Sequence, residues 1–185
     1  MTAPTVAPVV KRPAYLLVPL GVGALVSLAL GVYGNRHSPL HKPLFGLTTT
    51  QMFDLKVWFT LTALVLALVQ LLTALWMYGK LGVRAPRWTG TLHRTTGVLA
   101  FLVTLPVAFH CLWSIGFSTG DARTLAHSLF GCLFYGAFVA KVLTLHSRRV
   151  PGWALPWVAG ALFTALVGVG FTSAVWWVVN KGFPG

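Results

Sequence analysis

Hydrophobic positions along this chain neither alternate nor recur on one narrow helical stripe. They come in five long blocks, residues 14–33, 57–78, 97–117, 125–145 and 153–179. Each block has close to the roughly 20 residues that a helix needs to cross a bilayer core of roughly 30 Å. Lipid offers a peptide group no hydrogen-bond partner, so only helices and closed barrels span it. Unbroken runs of this length predict helices. The expected fold is an all-α integral membrane protein, one transmembrane domain over residues 1–185, with spans 2–5 as a four-helix bundle.

Polar positions between the blocks refine this picture. The first block follows Lys11 and Arg12, as a signal peptide would, but no small-x-small cleavage site follows it, so it reads as an uncleaved span. Residues 34–56 predict an outer loop with an interfacial segment. The connection "STGDAR" is short, which predicts spans 3 and 4 as antiparallel neighbours. Pro19, Pro106 and Pro156 fall inside spans and predict kinks. Tryptophans and tyrosines gather near the span ends, as in an aromatic belt.

Charge then sets the orientation. The chain is 56% hydrophobic and 9% charged, with 14 Lys and Arg against 2 acidic residues. In a soluble protein a net +12 would suggest nucleic acid. Here the cations sit between apolar blocks, which points to topology and anionic lipid and to no nucleic-acid partner. The more basic side holds Lys11, Arg12, Lys80, Arg84, Arg87, Arg94, Arg148 and Arg149. The positive-inside rule therefore puts the N-terminus in the cytoplasm and the C-terminus outside, in a multi-pass protein of a bacterial plasma membrane.

Candidate chemistry is narrow. The two carboxylates, Asp54 and Asp121, lie on separate segments and form no acid–base pair. No phosphate loop or Ser-His-Asp set occurs, so any reaction must ride on a cofactor or a partner. Cys111 and Cys132 lie inside apolar blocks without a CxxC motif and read as small buried hydrophobes.

The histidines are the exception. Four of six belong to two consecutive spans: His93 and His110 to the third, His127 and His146 to the fourth. An ionisable residue within a membrane is a functional hypothesis by default. His93 and His110 are 17 residues apart, which is about 25 Å of helix, and His127 and His146 are 19 apart, about 28 Å. Antiparallel spans then put His110 with His127 at an outer level, and His93 with His146 at an inner one. Two imidazole pairs at two depths suit one or two b-type haems carrying electrons across the membrane. Met52 is a further donor near the outer level. Gly97 and Gly131 each follow a histidine by four residues, on the same helical face, and would leave room for a flat macrocycle. Arg94, Lys141, Arg123 and Arg148 would face its anionic propionates. His37 and His41, in "RHSPLHK", read as surface-loop residues because Pro39 interrupts any helix between them.

"LHRTTGVLAF…PVAFHCLW" and "HSLFGCLFYGAFVAKV" resemble membrane cytochromes b of the ferric-reductase and ascorbate-reducible class. That resemblance implies a helical bundle holding haem b through histidines. "LVQLLTALWMYGKL", "LPVAFHCLW" and "GCLFYGAFVAK" are similar to an uncharacterised actinobacterial membrane family, a domain of unknown function. This second likeness spans nearly the whole chain and implies a Rieske-type or other peripheral redox partner. The expected function is electron transfer from a quinol or peripheral donor to an outer acceptor, as an oxidoreductase subunit if haem is bound. Two other readings stay open. One is a non-haem anchor or assembly subunit of a redox complex, with the histidines bonding helices together. The other is a small transporter or proton relay using the histidines with Lys141 and Gln70.

Overall fold

A computed structural model describes residues 10–184. Its helices are α1 (Leu17–Arg36), α2 (Thr49–Met77), α3 (Thr89–His110), α4 (Ala122–His146), α5 (Ala154–Gly170) and α6 (Trp176–Lys181). A 3-10 turn, Pro13–Leu16, leads into α1. A π-helical turn, Cys111–Ile115, extends α3, and a second, Phe171–Val175, joins α5 to α6. The result is five continuous rods, each long and apolar enough to cross a membrane.

Two of the rods start on capping boxes. Thr48 accepts from the backbone N–H of Gln51, whose side chain reaches back to the backbone of Thr48. This box satisfies N–H groups that a helix start leaves orphaned. It also corrects a boundary: residues 49–56 are the first two turns of α2, and the loop is 37–48 rather than 34–56. Asp121 caps α4 in the same way, with Thr124 at the third position. The Thr124 backbone N–H holds the exposed Asp121 carboxyl below its ordinary pKa.

Packing runs in the order α3–α2–α5–α4–α1. The α2 rod lies along α3 and touches α5, while α4 lies between α5 and α1. Small residues set these contacts. A Cβ on Gly23 of α1 would stand 2.5 Å from the Gly136 carbonyl oxygen and 2.9 Å from the Ala140 Cβ, so the backbones of α1 and α4 nearly touch. Gly168 lies against the Phe130 ring and Gly170 against Leu64. The central core is Ala63, Ala67, Phe134, Ala165 and Leu166. Large apolar side chains such as Leu17, Val65, Val98 and Leu145 face outward, a distribution that suits lipid rather than water.

The expected neighbours α3 and α4 do not pack backbone to backbone. They face each other across the bundle, with α2 and α5 to one side. Bulk is the reason. Phe101 of α3 stacks on Phe138 of α4 at 4.0 Å, and the Tyr135 hydroxyl donates to the Thr104 carbonyl oxygen at 3.2 Å. These aromatic side chains hold the two backbones apart, whereas the small face of α4 goes to α1. The short connection between them is instead tied across the end of the bundle. Gly116 ends the π turn at φ 79°, a left-handed conformation that suits glycine, and Phe117 N–H donates to the Gly34 carbonyl oxygen.

Candidate functional site

The gap between α3 and α4 holds the site. Two adjoining cavities lie toward the end of the bundle that carries the chain's C-terminal residues. The smaller, about 100 Å³, is almost wholly apolar and runs between α3 and α4 past Gly131, Cys132 and Tyr135. The larger, about 250 Å³, is bounded by α2, α3, α4 and the second π turn. Thr60, Val107, Cys111 and His127 line both. Both π turns contribute residues to the larger cavity: Cys111 and Ile115 from one, Thr172, Ser173 and Ala174 from the other. Such turns loosen the regular helical ladder and are frequent at functional sites.

His127 is held in one orientation. Its Nδ1 lies 3.3 Å from the Thr172 hydroxyl, and that hydroxyl gives its single proton to the Gly168 carbonyl at 2.6 Å. A hydroxyl so committed can only accept, so Nδ1 carries the ring proton and Nε2 keeps its lone pair. The same logic fixes His93. Its Nδ1 lies 2.8 Å from the Thr73 hydroxyl, whose proton goes to the Val69 carbonyl at 2.7 Å. His146 Nδ1 lies 2.8 Å from the Val142 carbonyl, again as donor. His93 and His127 therefore present a bare Nε2. A metal-bound histidine is arranged this way, its second ring N–H spent on a nearby acceptor.

The pairings are a different matter. His110 is 6% exposed, its Nδ1 has no partner among the described residues, and it lines neither cavity. It is buried on α3 along with Thr96 and Ala100, and Thr96 meets Gln70 of α2. Met52, at the start of α2, is fully buried. His110 and His127 thus stand near the same end of the bundle without sharing a cavity. The expected inner pair does not assemble. His93 faces α2 through Thr73, while His146 is exposed and bonds only its own helix. Arg94 is exposed, and Lys141 is half-buried on α4.

Gly97 makes room for a side chain rather than a macrocycle. A Cβ there would lie 3.0 Å from Gln70 Oε1. The Gln70 amide donates to the His93 carbonyl and, at 2.6 Å, to the Thr96 hydroxyl. Gly131 is different: a Cβ there would meet no atom within 4 Å, and the residue opens on the smaller cavity. The Gln70 network is a polar lock between α2 and α3. Gln70→Leu leaves the Thr96 and His93 acceptors short of a partner in an apolar setting. It is expected to cost about 1–3 kcal/mol, seen as a lowered thermal midpoint of the purified protein.

The profile of a family of unknown function, DUF6529, matches residues 16–185. The chain belongs to DUF6529. No curated protein and no solved structure matches it. The DUF6529 match takes in all five rods, and therefore both cavities and every histidine named above.

Other residues of this DUF6529 chain resolve simply. His37 stacks between Tyr33 and Trp113, at centroid distances of 5.0 and 4.8 Å. His41 is exposed in the loop, at φ 51°, and its backbone N–H donates to the Ser114 carbonyl freed by the first π turn. Cys111 and Cys132 are free and half-buried, and both face the smaller cavity. Sequence reasoning passes over three groups, two of them at the site and one beside His93. Lys56 reads as a loop cation, but the capping box at Thr48 puts it in the second turn of α2, on the cavity wall. Thr172 and Thr73 carry no signal, because each matters only through a histidine on another helix.

Proposed function

We propose that this chain is a multi-pass membrane protein, N-terminus in and C-terminus out, that carries electrons on a b-type haem at the C-terminal end of its bundle. The observation that carries the reading is the pinned imidazole of His127, with a bare Nε2 on the wall of a cavity between two helices that aromatic side chains hold apart. Helices spaced by aromatic side chains leave more room for a macrocycle than neighbours packed at 8–10 Å. The donor set fits in part. His127 would hold the iron, and His110, next to a cavity residue and with an unpartnered Nδ1, is the second imidazole at that end. Arg123 and Lys56 would meet the propionates. Bound haem supplies a one-electron carrier that alternates between ferric and ferrous iron.

The protein's own part is orientation and exclusion. Thr172 fixes the tautomer of His127. Apolar walls at Val107, Phe134 and Leu166 keep water from the gap. A quinol or a peripheral redox protein of Rieske type would supply or take the electron. His93, His146, Gly97, Arg94 and Lys141 are not gathered into a second such site, so the reading is of one haem.

A visible spectrum tests it. Protein purified from cells supplied with haem should show a Soret band and a reducible α band at close to one haem per chain. A colourless preparation would overturn the proposal. It would favour a non-haem anchor subunit, a reading supported by the Gln70 lock between α2 and α3.

A further inference from the structure

The larger cavity carries two cations that form no ion pair among the described residues. Lys56 enters from α2 and Arg123 from the first turn of α4. Arg123 donates Nη1 to the Thr172 carbonyl at 2.7 Å and lies 4.1 Å over the Trp176 ring. The Lys56 ammonium lies 5.2 Å from the Phe53 ring centroid. None of these partners is an anion. Neither Asp54 nor Asp121 lines the cavity. Asp121 is exposed, is spent on the cap of α4 and feels Arg123 only from outside, and Asp54 is two residues from Lys56 on a different face of α2. Two cations on one partly enclosed wall call for a counter-ion, because a charge away from water is costly unless paired.

The rest of the lining says what kind of ion. Thr124, Thr172 and Ser173 also line it, but their hydroxyl protons go to Asp121, Gly168 and Val169, so the donors left for an anion are the two cations, with the indoles of Trp176 and Trp177 on the same wall. At the shared residues Thr60, Val107, Cys111 and His127 the polar cavity adjoins the apolar one, which runs deeper between α3 and α4. A free inorganic ion would use the first cavity and leave the second unfilled. We propose that the paired cavities bind an amphiphile whose carboxylate or phosphate head meets Lys56 and Arg123 and whose apolar body lies in the α3–α4 gap. Haem, with its propionates, is one molecule of this chemistry, and an acidic lipid is another. Binding of such an amphiphile does not require the haem reading.

The experiment uses the full chain, free of haem, in phosphatidylcholine nanodiscs, with thermal midpoint and equilibrium binding as readouts. Dodecyl phosphate should raise the midpoint, while dodecanol and inorganic phosphate should not. Lys56→Gln and Arg123→Gln should each weaken dodecyl phosphate binding about tenfold, the worth of one charge-assisted hydrogen bond. Lys56→Arg should restore most of it. Arg84→Gln with Arg87→Gln, on the loop at the other end, should leave it unchanged and so controls for surface charge. Equal response to dodecanol, a full response to inorganic phosphate alone, or undiminished binding by the folded Gln variants would each overturn the proposal. A haem-loaded sample separates the sources. If haem is the occupant, dodecyl phosphate no longer binds to it and the Gln variants lose haem. If a lipid is the occupant, haem loading fails while dodecyl phosphate binding stands.

Discussion

Gly136→Ala is expected to be among the most damaging single-methyl changes in the protein. The added Cβ would collide with the Ser27 hydroxyl and with the Gly23 carbonyl oxygen. The first can rotate away, but the second is backbone, so α1 as a whole must move off α4. Forcing extra volume into a packed interface typically costs about 1–3 kcal/mol, and a rigid backbone neighbour puts this site at or above the top of that range. Gly131→Ala, five residues earlier on the same helix, is the matched control. Nothing lies within 4 Å of its would-be Cβ, and alanine is the better helix former by about 1 kcal/mol. Thermal unfolding of the two variants in the same nanodiscs should therefore diverge in sign. Equal midpoints would mean that α1 is not seated on α4 through Gly23 and Gly136. A second consequence concerns exposure. α1 touches the bundle mainly through α4, so a loosened α1 should raise the accessibility of Cys132, which faces it at Gly31, to a membrane-permeant thiol reagent.

The five rods are legible because lipid permits so little else: an apolar run of 20 or so residues has to satisfy its backbone internally. Starts are legible where capping chemistry is local. "TTTQ" before α2 and "DART" before α4 carry the capping-box pattern, whereas the hydrophobic run alone places the start of the second span eight residues late. Spacing between neighbours is not legible. Loop length argues for α3 beside α4, yet the arrangement is decided by side-chain bulk: Phe101, Tyr135 and Phe138 against the glycines and alanines that α4 turns to α1. The wide α3–α4 spacing favours the site. A macrocycle does not fit between helices packed at 8–10 Å, and these two are not packed so closely. The histidines themselves stand out in sequence, but their partners do not. Thr73 and Thr172 are ordinary threonines of apolar helices until the fold brings each ring to them. The two π turns leave no pattern in composition, since one inserted residue does not change an already apolar run. Depth follows from residue counts, which are robust, whereas facing depends on rotation, which a π turn or a tilt alters. This is why His110 and His127 fall near one end yet look into different spaces.

His127→Ala and Thr172→Val should separate a ligand from a merely buried histidine. If His127 holds haem iron, its loss removes the only imidazole among the described residues of the cavity wall, and haem content should fall to background while the protein still folds. Thr172→Val keeps shape and branching, and the Thr172 carbonyl still receives Arg123. It removes the acceptor for Nδ1–H together with the hydroxyl's own bond to the Gly168 carbonyl. Outer-shell changes of this kind typically weaken metal-site affinity about 10–100-fold without abolishing it. The redox sign also follows. An Nδ1–H bonded to an oxygen makes Nε2 the stronger donor, which favours ferric over ferrous iron. Without that bond the ferric state is less stabilised, so the midpoint potential should move to more positive values. Potentiometric titration of the α band in wild type and Thr172→Val reads this directly. A structural histidine would respond differently: Thr172→Val would lower the thermal midpoint and leave the potential of any bound haem unmoved. An unmoved potential, or haem retained at full occupancy in His127→Ala, would remove His127 from the iron.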